Sequence, residues 1–385
     1  MKLQDVMLRA MAKRIRWYEA AEILGISCRQ MQRWKTRFEH EGYEGLFDRR
    51  RGIPSPKRVP LTTVETVLRL YQEQYFDFNV RHFHEKLKSE HQIELSYTWV
   101  KEALQGAGLV KPRRKRGKYR KRRPRRPLPG MLLHIDASQH RWLCDDRWYD
   151  LLVIMDDATS EIYYAQLVAE ESTCTVMAAL REVIEQKGVF CALYSDRASH
   201  FFHTPKADEP VDHTRLTQVG RALRELGIQM IPAYSPQARG RSERSFGTWQ
   251  GRLPQELRLR QLTTVAAANQ FLRDHYLREF NPRFMVKAAE RGTAFVSARR
   301  KDLDLVFSVQ HERVVARDNT VSFANRTWQL ERTKFRGSLA GCRVTVHEHL
   351  DDSYSITFGP HVVGRYSSTG TLAVEMMEKS GQKAA

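Results

Sequence analysis

Cysteine is scarce in this 385-residue chain: five residues, at 28, 144, 174, 191 and 342, scattered and never in a CxxC pair. Such a set excludes a disulfide framework and a zinc finger, and the five read as small core residues. Long apolar runs are missing too. No stretch approaches the ~18 residues a membrane span needs, and the first residues lack the apolar segment of a secretion signal, so a cytoplasmic protein with no membrane contact is expected. Acids are in deficit, 45 against 64 Lys and Arg, for a net charge of +19. That excess calls for an extended polyanionic partner, and nucleic acid is the usual one. The length exceeds what one core organises and predicts two to four domains.

The charge is concentrated in "KPRRKRGKYRKRRPRR", residues 111–126, where 12 of 16 residues are Lys or Arg and none is acidic. This block cannot fold alone. With Pro112, Pro124, Pro127, Pro129 and Gly130 nearby, it reads as an extended linker that tracks DNA phosphates through Arg113, Arg114, Lys115, Arg116, Lys118, Arg120, Lys121, Arg122 and Arg123. A plain solubilising tether is the bland alternative.

Upstream, only helical periods occur. "YEAAEILGISCRQMQRWKTRFEHEG" gives one helix, a turn at Gly25 and a second helix with Ser27 as its N-cap, the spacing of a helix-turn-helix. Met31, Trp34 and Phe38 recur at core spacing, which leaves Arg29, Gln30, Gln32, Arg33 and Arg37 outward, in reach of base edges in a major groove. Residues 61–110 repeat the arrangement, with Ser96 capping a helix that stops at Gly106 and Gly108. Two helices of an ordinary three-helix bundle give the same pattern. His82 and His84 have no cysteine nearby, so "RHFHEKL" reads as surface helix rather than a metal site.

Near residue 128 the period changes. "MLLHIDASQ", "WYDLLVIM" and "IYYAQLVA" read as an antiparallel meander. A helix capped at Ser172 and ended by Gly188 follows, then the strand "VFCALYSD", a helix, the short strand "IQMIPAY" and a further helix, for an order βββαβαβα. From about residue 303 the pattern alternates, with turns at Asp318-Asn319, Gly341 and Asp351-Asp352, and predicts a small β-barrel.

Three acids stand out. Asp136 sits within an apolar strand, where a carboxylate is costly unless it is paired or metal-bound. Asp196 ends the next buried strand, 60 residues on, and Glu243 follows 47 later among Arg239, Arg241 and Arg244. A turn or cap explains either aspartate alone, and an ion-paired helix face explains the glutamate. Phe246, Trp249, Leu253 and Leu257 define the packed face of the last helix, with Glu243 at its rim and the arginines outward. Pro254 marks a break. The three acids can therefore converge. Asp208, Glu209 and Asp212 lie in a Pro-bounded loop and are weaker rivals; Asp156 and Asp157 are stronger ones, yet "MDDATSE" fits a hairpin turn.

The segments "LHIDASQHRW", "YSDRASHF" and "YSPQARGRSER", in this order behind helix-turn-helix units, resemble the DDE transposases of bacterial insertion sequences in the retroviral-integrase superfamily, nearest the ISNCY type. The likeness covers nearly the whole chain, and "FSVQHERVVARDNTVSFANRTWQL" is similar to the barrel after the core in Mu-type transposases. Two departures are a longer interval before Glu243 and Arg239-Gly240 where some relatives have Asn-Gly. The resemblance implies a multidomain fold: all-α helix-turn-helix units over 1–58 and, helix-turn-helix or winged, over 59–110; the linker 111–127; an α/β RNase H-like integrase catalytic core over 128–300; a small C-terminal β-barrel over 301–370; and a disordered tail over 371–385. It implies that Asp136, Asp196 and Glu243 hold two Mg²⁺ ions, with Mn²⁺ an expected substitute, since hard cations prefer carboxylate oxygen. Water then cuts double-stranded DNA at the terminal inverted repeats, and the freed 3′-hydroxyl joins target DNA. Arg239, Arg241 and Arg244 become phosphate contacts, the working form at least a dimer, and the location the bacterial nucleoid. An inactive DNA-binding descendant and a nuclease that cuts without joining are the alternatives.

Overall fold

The computed structural model describes residues 3–47, 58–112, 123–204, 209–212, 214–234, 240–299, 301–330 and 336–368. The linker residues Arg113 to Arg122, Asp208, Arg239 and the tail 371–385 lie outside them. Two compact units are present, Met1–Arg69 and Leu70–Ala385.

The first unit opens with α1 (Leu3–Met11), α2 (Trp17–Leu24) and α3 (Cys28–Glu41). Gly25 takes the left-handed conformation (φ +65°) that ends α2 and turns the chain, a conformation open to glycine without steric cost. Two residues on, the Ser27 hydroxyl accepts the Gln30 N–H at 3.2 Å and starts α3. Val6, Met7, Ala20, Ala21, Met31 and Phe38 form the core, so the expected turn, cap and packed stripe are all present. Helix α4 (Leu61–Glu73) contains the division between the units.

In the second unit, α5 (Val80–Ser89) and α6 (Tyr97–Gly106) are capped by Asn79 and Ser96. No strand occurs among the described residues 58–112, so this region is helical rather than winged. Strands β1 (Leu133–His140), β2 (Tyr149–Asp156) and β3 (Ile162–Val168) form the meander; α7 (Thr173–Lys187), β4 (Ala192–Ser195), α8 (Gln218–Glu225) and β5 (Gln229–Pro232) follow. The sheet order is β3-β2-β1-β4-β5, with β1 antiparallel to β2 and parallel to β4. This is the RNase H-like arrangement. Gly188, at φ +108°, ends α7 where a Cβ would lie 2.6 Å from the Val296 carbonyl oxygen.

Side-chain alternation divides the sheet into two faces. Leu133 and Ile135 of β1 and Leu152 and Ile154 of β2 pack with α7 and α8 on one face. Leu151, Val153 and Met155 pack on the other against α9 (Ser242–Gln250) and α10 (Leu253–Leu259), through Phe246, Trp249, Leu253 and Leu257. The predicted stripe is thus the packed one, and the predicted break falls between α9 and α10, with Pro254 in the first turn of α10. Helix α11 (Val265–Phe271), a π-turn over Leu272–Tyr276 and α12 (Leu277–Phe284) complete this face.

The reading of "RHFHEKL" as surface helix is overturned for His82. It is buried, and its Nε2 lies 2.6 Å from the Glu256 carboxylate of α10. Lys86 Nζ reaches the same carboxylate at 2.9 Å, Arg260 also pairs with it, and Arg252 grips Glu85 with two bonds of 2.7 and 3.0 Å. Helix α5 is thereby locked onto the core by charge. The cysteines also depart from expectation: four are exposed and Cys342 is half-buried, because they fall at helix starts and loops that the apolar pattern leaves outside.

After α13 (Leu303–Val306), strands β6 (Val309–Val314), β7 (Thr320–Phe323), β8 (Arg326–Gln329), β9 (Arg343–Glu348), β10 (Tyr354–Phe358) and β11 (His361–Tyr366) form a four-stranded antiparallel sheet, β11-β10-β9-β6, and a β7-β8 hairpin. They share one core around Val321, Trp328, Val346 and Ile356. The predicted turns recur as positive φ at Asn319, Gly341 and Asp352. The pairing gives a four-stranded antiparallel sheet and a hairpin on a common core.

Candidate active site

Strands β1 and β4 pair with Leu133 opposite Leu193 and His134 opposite Tyr194. The offset is 60 residues, which is also the separation of Asp136 and Asp196. Extending the register sets the two aspartates level, at the point where β4 ends. Alternation gives both the same face: Ile135 faces α7, so His134 and Asp136 face α9, and Tyr194, whose ring lies 5.2 Å from that of His134, puts Asp196 on that side too. Asp136 is half-buried and lines a small cavity with His134, Met155, Ser242, Ser245 and Phe246. Asp196 is half-buried, and its Oδ1 accepts the Ala198 N–H at 3.0 Å.

Glu243 occupies the first turn of α9, which packs on β1 and is tied to it by Gln250 Nε2 donating to Ser138 Oγ at 3.0 Å. The glutamate itself is exposed. No group of three or more His, Cys, Asp and Glu side chains is placed to hold a metal ion among the described residues. The parallel pairing of β1 and β4 thus sets the chain segments that carry Asp136 and Asp196 side by side, and Glu243 is exposed on the adjoining helix.

Sequence reasoning set Asp157 aside as a turn residue, and the structure gives it another part. Its neighbour Asp156 is a turn residue as expected, accepting the Thr159 N–H and the Gly130 N–H, each at 2.9 Å. Asp157 continues the alternation of Val153 and Met155 onto the α9 face and is fully buried. It accepts from His134 Nε2 (2.7 Å), Arg123 Nη2 (2.5 Å), the Arg126 N–H (2.8 Å) and Arg241. Burial alone would raise its carboxyl pKa; the His134 bond, the Arg126 N–H and the Arg241 charge outweigh that and hold it well below the usual carboxylate range. Burial lowers the His134 pKa, against the Asp157 hydrogen bond and charge that raise it. The one signal in the sequence was a second acid in "MDDATSE" that a single turn does not use.

The arginines divide. Arg241 was expected to face outward, but it is turned in: one guanidinium nitrogen pairs with Asp157 and the other donates to the Arg123 carbonyl at 3.1 Å. Arg123 is likewise engaged, though partly exposed. Arg244 is exposed, with Nε on the Gly240 carbonyl at 2.7 Å. Arg125 donates to the Asp157 carbonyl at 2.9 Å and to Ser160 Oγ at 2.8 Å. Together Arg123, Arg125, Arg241 and Arg244 line one cavity of about 380 Å³ beside the Asp136 cavity, with Met155 and Ser245 common to both. On α3, Arg29, Gln32, Arg33 and Arg37 are exposed and Gln30 is half-buried. Of the rival acids, Asp212 is used in a turn with Thr214.

The putative transposase y4bF of Sinorhizobium fredii is 30% identical over 364 residues, spanning 93% of this chain and 78% of that one. The chain belongs to the insertion-sequence transposases. The transposase for insertion sequence IS1202 of Streptococcus pneumoniae is 27% identical, over 79% of this chain and 72% of its own. Within this transposase, residues 4–52 match a helix-turn-helix domain family and residues 30–104 a homeodomain-like domain family, which supports DNA binding by this part of the chain. Among solved structures it is similar to the magnesium-bound catalytic core of HTLV-2 integrase (16% identical, 39% of this chain and 90% of that chain, TM-score 0.28). It is also similar to the simian T-cell lymphotropic virus intasome in complex with a PP2A regulatory subunit (12% identical, 70% and 91%, TM-score 0.32). Family membership supports DNA transposition and integration by a polynucleotidyl transferase.

Proposed function

We propose that Asp136, Asp196 and Glu243 form a DDE reaction centre that cuts DNA at the terminal inverted repeats and joins the freed ends to target DNA. The observation that supports this reading is the β1–β4 register, Leu133 opposite Leu193 and His134 opposite Tyr194, which continued by two residues would set the two carboxylates level on one face. The donor chemistry fits a pair of hard cations, Mg²⁺ or Mn²⁺: oxygen ligands from two aspartates, with a third carboxylate one helix turn from the packed residue Phe246. Glu243 must swing from solvent toward β1 to complete the set. When bound, such ions stabilise the attacking and leaving oxygens of a phosphodiester.

The chain's own residues do the rest. The exposed Arg244, with Arg239 expected beside it, holds the phosphate without reading sequence. Water attacks phosphorus, a new P–O bond forms, the bond to the 3′-oxygen breaks, and that oxygen leaves as a hydroxyl on the transposon end. The same hydroxyl then attacks a target phosphodiester, giving up its proton to solvent as the target strand breaks. Arg29, Gln30, Gln32, Arg33 and Arg37 read the terminal repeats, and residues 113–122 track the backbone. The proposed organisation is 1–58 and 59–110 for end binding, 111–127 as linker, 128–300 for the reaction, 301–370 as the C-terminal module and 371–385 as tail. Two ends imply at least a dimer, acting at the nucleoid in the cytoplasm.

The test uses purified protein on DNA carrying the element's own ends with Mg²⁺ or Mn²⁺. Asp136→Asn, Asp196→Asn and Glu243→Gln should each lower nicking and joining by about 10³-fold or more while end binding stays. Wild-type rates in Asp136→Asn would remove the assignment. The exposed Glu243 favours a second reading, a DNA-binding descendant with an idle core; binding without any nicking by the wild type would establish it, and nicking without joining would mark a nuclease.

A further inference from the structure

Asp157 collects three segments that are distant in sequence but adjacent to the acids. His134 lies two residues before Asp136 on the same face of β1, and Arg241 two residues before Glu243 at the start of α9. Arg123 and Arg126 are the last part of the basic linker. The opposite end of α9 is already fixed by Gln250 on Ser138, so the Arg241–Asp157 pair sets the remaining freedom of the helix that carries Glu243. The same carboxylate keeps two guanidiniums together in a cavity that Arg125 and Arg244 also line. Without its charge, four like charges would face one another, and both the α9 start and the linker would be pushed away.

We propose that Asp157 is a positioning residue for the reaction: it holds the start of α9, and with it Glu243, against the strand that carries Asp136, and it anchors the end of the basic linker to the same point. The assignment rests on the reading of Glu243 given above. Its consequence is a division of labour among the arginines. Arg123 and Arg241 build the frame, whereas Arg244, held by a carbonyl rather than a carboxylate, is left for DNA phosphate.

The experiment takes full-length Asp157→Asn and Arg241→Gln. Hydrogen exchange is measured first on metal-free protein, with excess EDTA present to chelate trace metal. Amides of residues 242–246 and 123–126 should exchange about tenfold faster in both variants, with β2 and β3 unchanged. Single-turnover cleavage at saturating end DNA should fall about 10²-fold, the scale of a small misplacement, with end-DNA Kd within about threefold. The double variant should be no worse than either single one. Arg241→Gln leaves Asp157 with Arg123 and His134, so it keeps the test open if Asp157→Asn does not fold. Wild-type exchange in 242–246, or exchange raised equally across the whole sheet, overturns the proposal. Glu243→Gln separates the two layers: if it cleaves like wild type the triad reading falls, whereas if it is inactive and the Asp157 and Arg241 variants cleave normally, only the positioning role falls.

Discussion

Asp157 and Glu256 are both buried carboxylates on which cations from distant segments converge, yet they join different things. Asp157 joins the linker end, β1 and the start of α9. Glu256, on the next helix, receives His82 and Lys86 from α5 and Arg260 from just past the end of its own helix. Both are held below the ordinary carboxylate range, Glu256 to about 2, because hydrogen bonds and cations outweigh the burial that would raise them. The perturbed pKa is therefore shared, and the partners distinguish the roles: one carboxylate orders the reaction face, the other fastens a helical module to the core.

The sharpest way to break this comparison is to neutralise each in turn. Glu256→Gln leaves Lys86 and Arg260 around an uncharged amide and should destabilise the second unit by about 3–5 kcal/mol in urea titration, while cleavage per folded molecule stays within about twofold. Asp157→Asn should do the reverse, with a larger loss of rate than of stability. Proportional losses in both variants would erase the distinction.

Acid adds a third buried group. His347 contacts Ser308 Oγ at 2.8 Å and Thr357 Oγ1 at 2.9 Å, and burial, then His349 and Arg221, push its pKa down to about 4. With the folded value below the unfolded one, its contribution is present above pH ~6.5 and lost as pH falls toward 4, on the order of 3 kcal/mol. Glu256 follows the same sign lower down, from 4.5 toward about 2. Hydrogen exchange between pH 6.5 and 4 should therefore open residues 343–366 before residues 253–259.

Smaller effects contrast reading with tracking. Arg33→Ala on α3 should cost about 1–3 kcal/mol of end binding with less loss on unrelated DNA, measured by anisotropy. Loss of the cap in Ser96→Ala should cost about 1 kcal/mol in thermal unfolding. Replacing Arg113, Arg114, Lys115 and Arg116 with Gln should weaken all DNA alike and flatten the salt slope by ~0.9 for each phosphate no longer neutralised. An unchanged slope would remove the linker from the interface.

Much of this was legible in the chain because local chemistry carried it. Ser27, Ser96 and Ser172 announce helix starts by their own hydroxyls, and the Phe246-to-Leu257 stripe states which face of α9 and α10 is packed. The 60-residue spacing of the aspartates equals the offset of the β1–β4 pairing just before them. The carboxylate networks were not legible. Asp157 meets Arg241 across 84 residues, and Glu256 meets His82 across 174, and no periodic pattern encodes a partner that far away. His82 was misplaced for that reason: its acid lies on another element. Arg241 was misplaced because helical phase gives a direction from the axis, while the residue at a helix start can still turn back to a strand.

The register between β1 and β4 has a consequence for how such chains can vary. Pairing at Leu133–Leu193 and His134–Tyr194, not the length of chain between the strands, sets their phase and with it the proposed level placement of Asp136 and Asp196. The hairpins and α7 can therefore gain or lose residues without disturbing either carboxylate. A slip of one residue between the two strands is a different event, since it sends Asp196 to the opposite face. Length is cheap to change here, and phase is not.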